Sequence, residues 1–181
     1  MAETITSTDD YLVHFVHGKE SGPWGSKISR LAEVARGLGL GVQSLDYSGI
    51  ADPELRADTL IQHCTGSDKK LILVGSSMGG WVATRASVAL NPIGLFLLAP
   101  AFLLPGYPAV YPNCAADAIE VVHGWDDDVI LFEHAIRFGR EVGCAVHLVK
   151  DGHSLQGPHT PLEGYFSQFL RRLLPDASQA T

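Results

Sequence analysis

Short apolar runs alternate with longer amphipathic stretches along the 181 residues of this chain. Mainly apolar runs of four to six residues fall at 12–16, 42–45, 71–74, 95–99, 119–122 and 145–149, lengths that suit strands better than helices. The 71–74 run is apolar on both faces, as a central strand covered on both sides must be. Between the runs, Ile28, Leu31, Ala32, Val34 and Ala35 form a helical stripe that Gly37 and Gly39 close. Pro53 suits the first turn of a helix through 55–64, and a third helix over 78–90 must stop before Pro92. A fourth fits 129–142 and a last 162–174. The pattern predicts an α/β domain over 11–174, with about six mostly parallel strands, helices on both faces, and tails at 1–10 and 175–181. In such sheets the chemistry gathers in loops after the carboxyl ends of strands.

Composition changes this picture only by exclusion. The net charge is −7 and no more than two basic residues adjoin, so no phosphate-tracking surface for nucleic acid is expected. Cys64, Cys114 and Cys144 are odd in number and widely spaced, without a CxxC or Cys/His cluster. Free thiols, no metal and no cofactor are the expectation. The start lacks the basic and apolar segments of a signal peptide, and no apolar run is long enough to span a bilayer. A cytoplasmic protein without a membrane partner is therefore expected.

Candidate chemistry begins at Gly75-Ser76-Ser77-Met78-Gly79, a G-x-S-x-G string between the central strand and the third helix. That junction is where a sharp turn lifts a serine hydroxyl to the sheet edge, with small residues on either side relieving the crowding. Shifting the frame to Ser76 puts Val74 and Met78 where glycines are needed, so Ser77 is the candidate nucleophile. A carboxylate must orient its base, and no Asp or Glu occurs between Asp68 and Asp117. Asp126, Asp127 and Asp128 follow the fifth strand, and spacing alone leaves the choice among them open. Asp126 and Asp128 are expected to cap the next helix or face solvent. The base is expected at His153, in the loop after the sixth strand.

The other histidines have plainer expectations. His14 and His147 sit inside strands as satisfied structural residues, and His63 and His134 on exposed helix faces. His17 and His123 precede glycines and shape turns, while His159 opens the last helix. Backbone N–H groups of Met78, after the nucleophile, and of Lys19, in the first loop, are the candidate oxyanion donors. Trp24, Phe102, Tyr107, Tyr111, Trp125 and Leu155 lie in loops at the same edge and are candidates for an acyl pocket. Four prolines within 100–116 predict an irregular segment, too short for a helical lid.

These motifs resemble the α/β-hydrolase superfamily over the whole ordered chain, in particular its small, capless YqiA-like bacterial esterases. The likeness rests on His17-Gly18, Gly75 to Gly80, Leu98-Ala99-Pro100-Ala101, Asp127-Asp128-Val129-Ile130 and Asp151-Gly152-His153. The superfamily's H-G-x-x-D turn, here His123 to Asp127, implies Asp127 as the acid. It implies a minimal fold without a cap domain, and a cofactor-free serine hydrolase acting on a small ester or thioester through an acyl-enzyme. Lys19 stands where a large apolar residue is common, a difference that bears on substrate class. A carboxylate-nucleophile reaction is disfavoured by Ser77. The competing expectation is a noncatalytic binding or scaffold protein on the same fold.

Overall fold

The computed structural model describes residues 8–175, opening with a 3-10 turn at Thr8–Asp10, so most of the two expected tails lies outside the described residues. Six strands follow: β1 (Tyr11–Val16), β2 (Gly41–Ser44), β3 (Lys70–Ser76), β4 (Gly94–Leu98), β5 (Ala118–Gly124) and β6 (Ala145–Val149). Five helices separate or follow them: α1 (Ser26–Gly37), α2 (Pro53–Cys64), α3 (Met78–Leu90), α4 (Phe132–Val142) and α5 (Leu162–Leu173). Every described pairing is parallel, in the order β2-β1-β3-β4-β5-β6.

The handedness of parallel crossovers distributes the helices. From β1 the chain steps outward to β2, then returns past β1 to β3 and continues in that second direction. Right-handed crossovers in opposite directions lie on opposite faces. Accordingly α1 packs with α5 on one face, over Val13, Phe15, Val74 and Phe96. Residues of α2, α3 and α4 pack on the other, over Leu73, Leu95, Leu97 and Val121. The direction reverses between β1 and β3, where a crevice opens beyond the carboxyl ends of the strands. The loops after β1 and β3 border it.

Local chemistry explains the element ends. The Asp52 side chain accepts the Glu54 N–H at 2.8 Å and Pro53 takes the first turn of α2. Asn91 and Gly143 end α3 and α4 in left-handed conformations. One helix differs from expectation: α4 begins at Phe132, three residues later than the sequence pattern suggests. Its N-cap is Leu131, without a side-chain cap, so neither Asp126 nor Asp128 caps it. Both aspartates are exposed.

His14 is fully buried in β1, but among the described residues its Nε2 has no hydrogen-bond partner and its Nδ1 meets only the Cys64 sulfur at 3.9 Å. It is structural without being satisfied. Burial, helped by the neighbouring His63, pushes its pKa down to about 4. The unfolded chain therefore takes up this proton near the ordinary value of about 6.5, before the native state does. Stability present above that value is lost as pH falls towards 4, by roughly 3 kcal/mol at about 1.4 kcal/mol per unit. In urea unfolding at pH 7, 5.5 and 4, His14→Leu is expected to flatten this part of the acid limb. An unchanged slope would show that His14 does not titrate this way.

Candidate active site

β3 ends at Ser76 and α3 starts at Met78, leaving Ser77 as the whole turn. Its φ of 54° and ψ of −120° form a strained conformation for a residue with a side chain, worth roughly 1–3 kcal/mol. The surroundings enforce it. Ser77 N–H donates to the Leu98 carbonyl at 2.9 Å, and the Ser77 carbonyl accepts from Gly80 and Ala101 at 2.9 and 3.0 Å. Backbone passes so close that a Cβ on Gly79 would sit 1.9 Å from the Val16 oxygen, and one on Gly75 2.3 Å from the Gly79 oxygen. Only glycine fits either place.

From this turn a line of hydrogen bonds runs across the sheet edge. Ser77 Oγ lies 3.0 Å from His153 Nε2, and His153 Nδ1 lies 2.8 Å from Asp127 Oδ2. Two backbone bonds hold the loops after β5 and β6 together: Trp125 N–H to the Val149 carbonyl at 2.8 Å, and Asp126 N–H to the Asp151 carbonyl at 3.0 Å. Asp151 braces the turn carrying His153, accepting from the N–H groups of Gly152 and Gly157 and from the Thr160 hydroxyl.

Asp127 is the most constrained of the three. Its Oδ1 accepts Val129 N–H at 2.9 Å and Ile130 N–H at 2.8 Å, while Oδ2 receives a second histidine, His123 Nε2, at 3.0 Å. Burial opposes its charge, yet the bonds from His123, His153 and the two backbone groups hold the carboxyl far below the usual carboxylate range. His123 is fully buried, and the same Nε2 reaches the Ile130 carbonyl at 2.9 Å. Both partners are acceptors, so Nε2 carries the hydrogen. The turn expected to be shaped by His123 is thus also a brace on Asp127, a contact invisible from spacing.

The first loop is held from below. Gly18 O accepts from His17 Nδ1 at 2.7 Å and from Arg56 Nη1 at 3.2 Å. The buried Arg56 also donates to the carbonyls of His17 at 3.3 Å and Ile50 at 2.6 Å. Tyr47 N–H donates to His17 Nε2 at 2.9 Å. That bond assigns the proton to Nδ1, so the nearby Asp46 at 3.8 Å is no ion-pair partner through Nε2. Because the peptide is trans, fixing Gly18 O on the buried side turns the Lys19 N–H the opposite way. Met78 N–H belongs to the first turn of α3, where no intrahelical acceptor exists. Gly18, Lys19, Ser77, Met78 and His153 all border one cavity of about 710 Å³.

Of the six side chains expected to line a pocket, only Tyr107 borders this cavity. Phe102 is fully buried against Phe138 and Tyr111. Leu155, at φ 52°, turns into the core beneath α5. Trp24 and Trp125 are about half exposed, the latter packed on Phe132. Tyr111 donates to the His134 carbonyl and borders a separate groove. His134 itself is half-buried, its Nδ1 at 2.9 Å from the Phe102 carbonyl, rather than exposed. His147 is a partly exposed strand residue bonded to Glu120 and stacked on Tyr165. His159 lies in an exposed turn before α5, outside the helix. A residue the sequence pattern did not single out, Lys27, is on the cavity wall.

The cysteines are free, Cys64 buried and the other two half-buried. Among the described residues no helix is long and apolar enough to cross a membrane.

Residues 15–179 match the family model of the alpha/beta hydrolase family. No curated protein matches the chain. Among solved structures, a protein assigned to the alpha/beta hydrolase superfamily from Xanthomonas campestris pv. campestris superposes with a TM-score of 0.81 at 28% identity, over 91% of this chain and 99% of that one. A lidless α/β serine hydrolase from Xanthomonas campestris gives 0.71 at 23% identity, over 96% and 86%. An esterase of Pyrococcus furiosus gives 0.69 at 17% identity, over 91% and 82%. The last two likenesses bear on the fold alone.

Proposed function

The chain belongs to the alpha/beta hydrolase family, and from that premise we propose that it is a serine hydrolase cleaving small esters or thioesters. The observation that carries the reading is the line Ser77 Oγ–His153 Nε2–Asp127 Oδ2, at 3.0 and 2.8 Å, opening on a cavity of about 710 Å³. A serine hydroxyl alone is a poor nucleophile at neutral pH. Here Ser77 Oγ attacks the substrate carbonyl carbon while its proton passes to His153 Nε2, and Asp127 stabilises the resulting imidazolium. The carbonyl oxygen becomes an oxyanion facing the N–H groups of Lys19 and Met78. Collapse breaks the bond to the leaving alcohol or thiol, which takes the proton from His153. Water then repeats the sequence on the acyl-enzyme, returning the proton to Ser77 and releasing the acid.

In this reading Arg56 and His17 are positioning residues. They hold the carbonyl of the peptide whose N–H is donated, so the donor needs no reorganisation when charge develops. Backbone donors also explain how a lysine is tolerated at position 19. Esters and thioesters share this chemistry, and the open cavity suits either.

Labelling with a fluorophosphonate tests the proposal. One adduct is expected, on the peptide containing Ser77, and none in His153→Ala, where no base remains to take the proton. A folded protein that resists the reagent and cleaves no activated ester would leave the scaffold reading in its place.

A further inference from the structure

The cavity has two unlike walls. Ala101, Leu104, Pro105, Tyr107 and Val129 form an apolar side. Ala51 and Pro53 add further apolar surface, and the loop after β1, the start of α1 and the turn after His153 supply most of the polar lining, with Ile28 of α1 among them. There Ser26 Oγ donates to Gln156 Oε1 at 2.7 Å, tying α1 to that turn across the cavity rim. Lys27 follows Ser26 on this wall and is half-buried.

Lys27 has no anion of its own. Among the described residues no carboxylate lies within ion-pair distance of its ammonium. The carboxylates nearest in effect, Asp151 and Asp127, already have both oxygens occupied by the hydrogen bonds described above. Desolvation pushes its pKa down to about 8 against the pull of those two, so it remains charged at neutral pH. Lys19 and Glu20 also border the cavity, but both are exposed, where solvent screens their charges. A half-desolvated ammonium held only by the more distant Asp151 and Asp127 carboxylates, with no direct ion-pair partner, is costly unless something pairs with it. It lies on the wall of the space that holds the proposed nucleophile.

We propose that Lys27 is a specificity residue and that the substrate carries an anionic group, a carboxylate or its equivalent, away from the scissile bond. This rests on the serine-hydrolase reading and names its substrate class. The anion pairs with Lys27 within reach of the Ser26 and Gln156 side chains, while the uncharged part of the substrate lies along the apolar wall. Such a pair, shielded from water on one side, discriminates more strongly than a surface ion pair.

The experiment compares kcat/KM for anionic and neutral esters of matched length. On the acyl side, 4-nitrophenyl half-esters of adipate, pimelate and suberate are set against hexanoate, heptanoate and octanoate. On the leaving-group side, 3-carboxy-4-nitrophenyl butyrate is set against 4-nitrophenyl butyrate. The full-length protein is expected to favour the anionic member of at least one arm by about tenfold or more, mainly through KM. That ratio is expected to fall to about one in Lys27→Met, to invert in Lys27→Glu and to survive in Lys27→Arg. Using the ratio removes any loss of folded protein from the comparison. Cleavage of neutral esters without preference in either arm, or a preference that persists in Lys27→Met, would overturn the inference and leave the hydrolase reading standing. Should no ester be cleaved and Ser77 escape labelling, both fall together.

Discussion

Ser77→Ala is expected to lower kcat on an activated ester by about 10⁴–10⁶-fold, the scale on which a nucleophile within an intact hydrogen-bonded line acts. At 1.36 kcal/mol per decade this is roughly 5.5–8 kcal/mol of transition-state stabilisation, far more than one lost hydroxyl bond is worth in folding. The fold is expected to survive, because alanine keeps the Cβ that already occupies the strained turn. Ser77→Gly separates the two roles of this position. It removes the same hydroxyl but relaxes the backbone at φ 54°, and is expected to be equally inactive yet roughly 1 kcal/mol more stable than the alanine variant. Steady-state rates with active-site titration check the first effect, and urea unfolding the second. A loss of only tenfold would mean that the hydroxyl attacking substrate belongs to another residue.

The parts of this site readable from sequence are those set by neighbours along the chain. Gly75 and Gly79 flank Ser77 at fixed offsets because backbone atoms of the turn and of β1 occupy the space a side chain would need. Any sequence making that turn must show them. The strand and helix boundaries around it are equally local, and α3 spans the 78–90 segment that its composition suggests. The all-parallel order is less local, but alternation and crossover handedness constrain it strongly.

What the sequence hides depends on contacts across the fold. Asp127 serves the turn it stands in, through Val129 and Ile130, as well as His153 and His123. The two bonds to Val129 and Ile130 form a turn at 127–130 that precedes α4, which starts at Phe132 rather than near 129. The apolar residues of the active-edge loops were equally ambiguous. Phe102 and Leu155 have the same chemistry as a pocket wall, and only the position of Phe138 and of α5 turns them inward. Lys27 precedes the buried Ile28 on α1, where a solvated charge is the ordinary expectation. That it borders a cavity depends on how α1 meets the loop after β6.

Asp127→Asn is expected to cost about 10³–10⁴ in kcat while leaving the peptide trace intact, because the amide must face one way. Its oxygen is required by the two N–H groups of Val129 and Ile130 at Oδ1, so the NH₂ replaces Oδ2 opposite His153 and His123. A donor there forces His153 to accept at Nδ1 and carry its hydrogen on Nε2, the atom 3.0 Å from Ser77 Oγ. In that tautomer it no longer takes the serine proton. The same exchange sets His123 Nε2–H against a donor, so stability at pH 7 is expected to fall by a few kcal/mol. That deficit has a pH signature. The native carboxyl titrates far below the usual range, so below about pH 4 the unfolded chain binds this proton and the native state does not. The contribution of Asp127 is then complete above that point and is lost as pH falls further. The gap between native protein and Asp127→Asn should therefore narrow on acidification from pH 4 towards 2, followed by urea or thermal unfolding. A gap independent of pH over that window, together with a rate loss below tenfold, would remove Asp127 from the proposed mechanism and leave His153 to be oriented by its own loop.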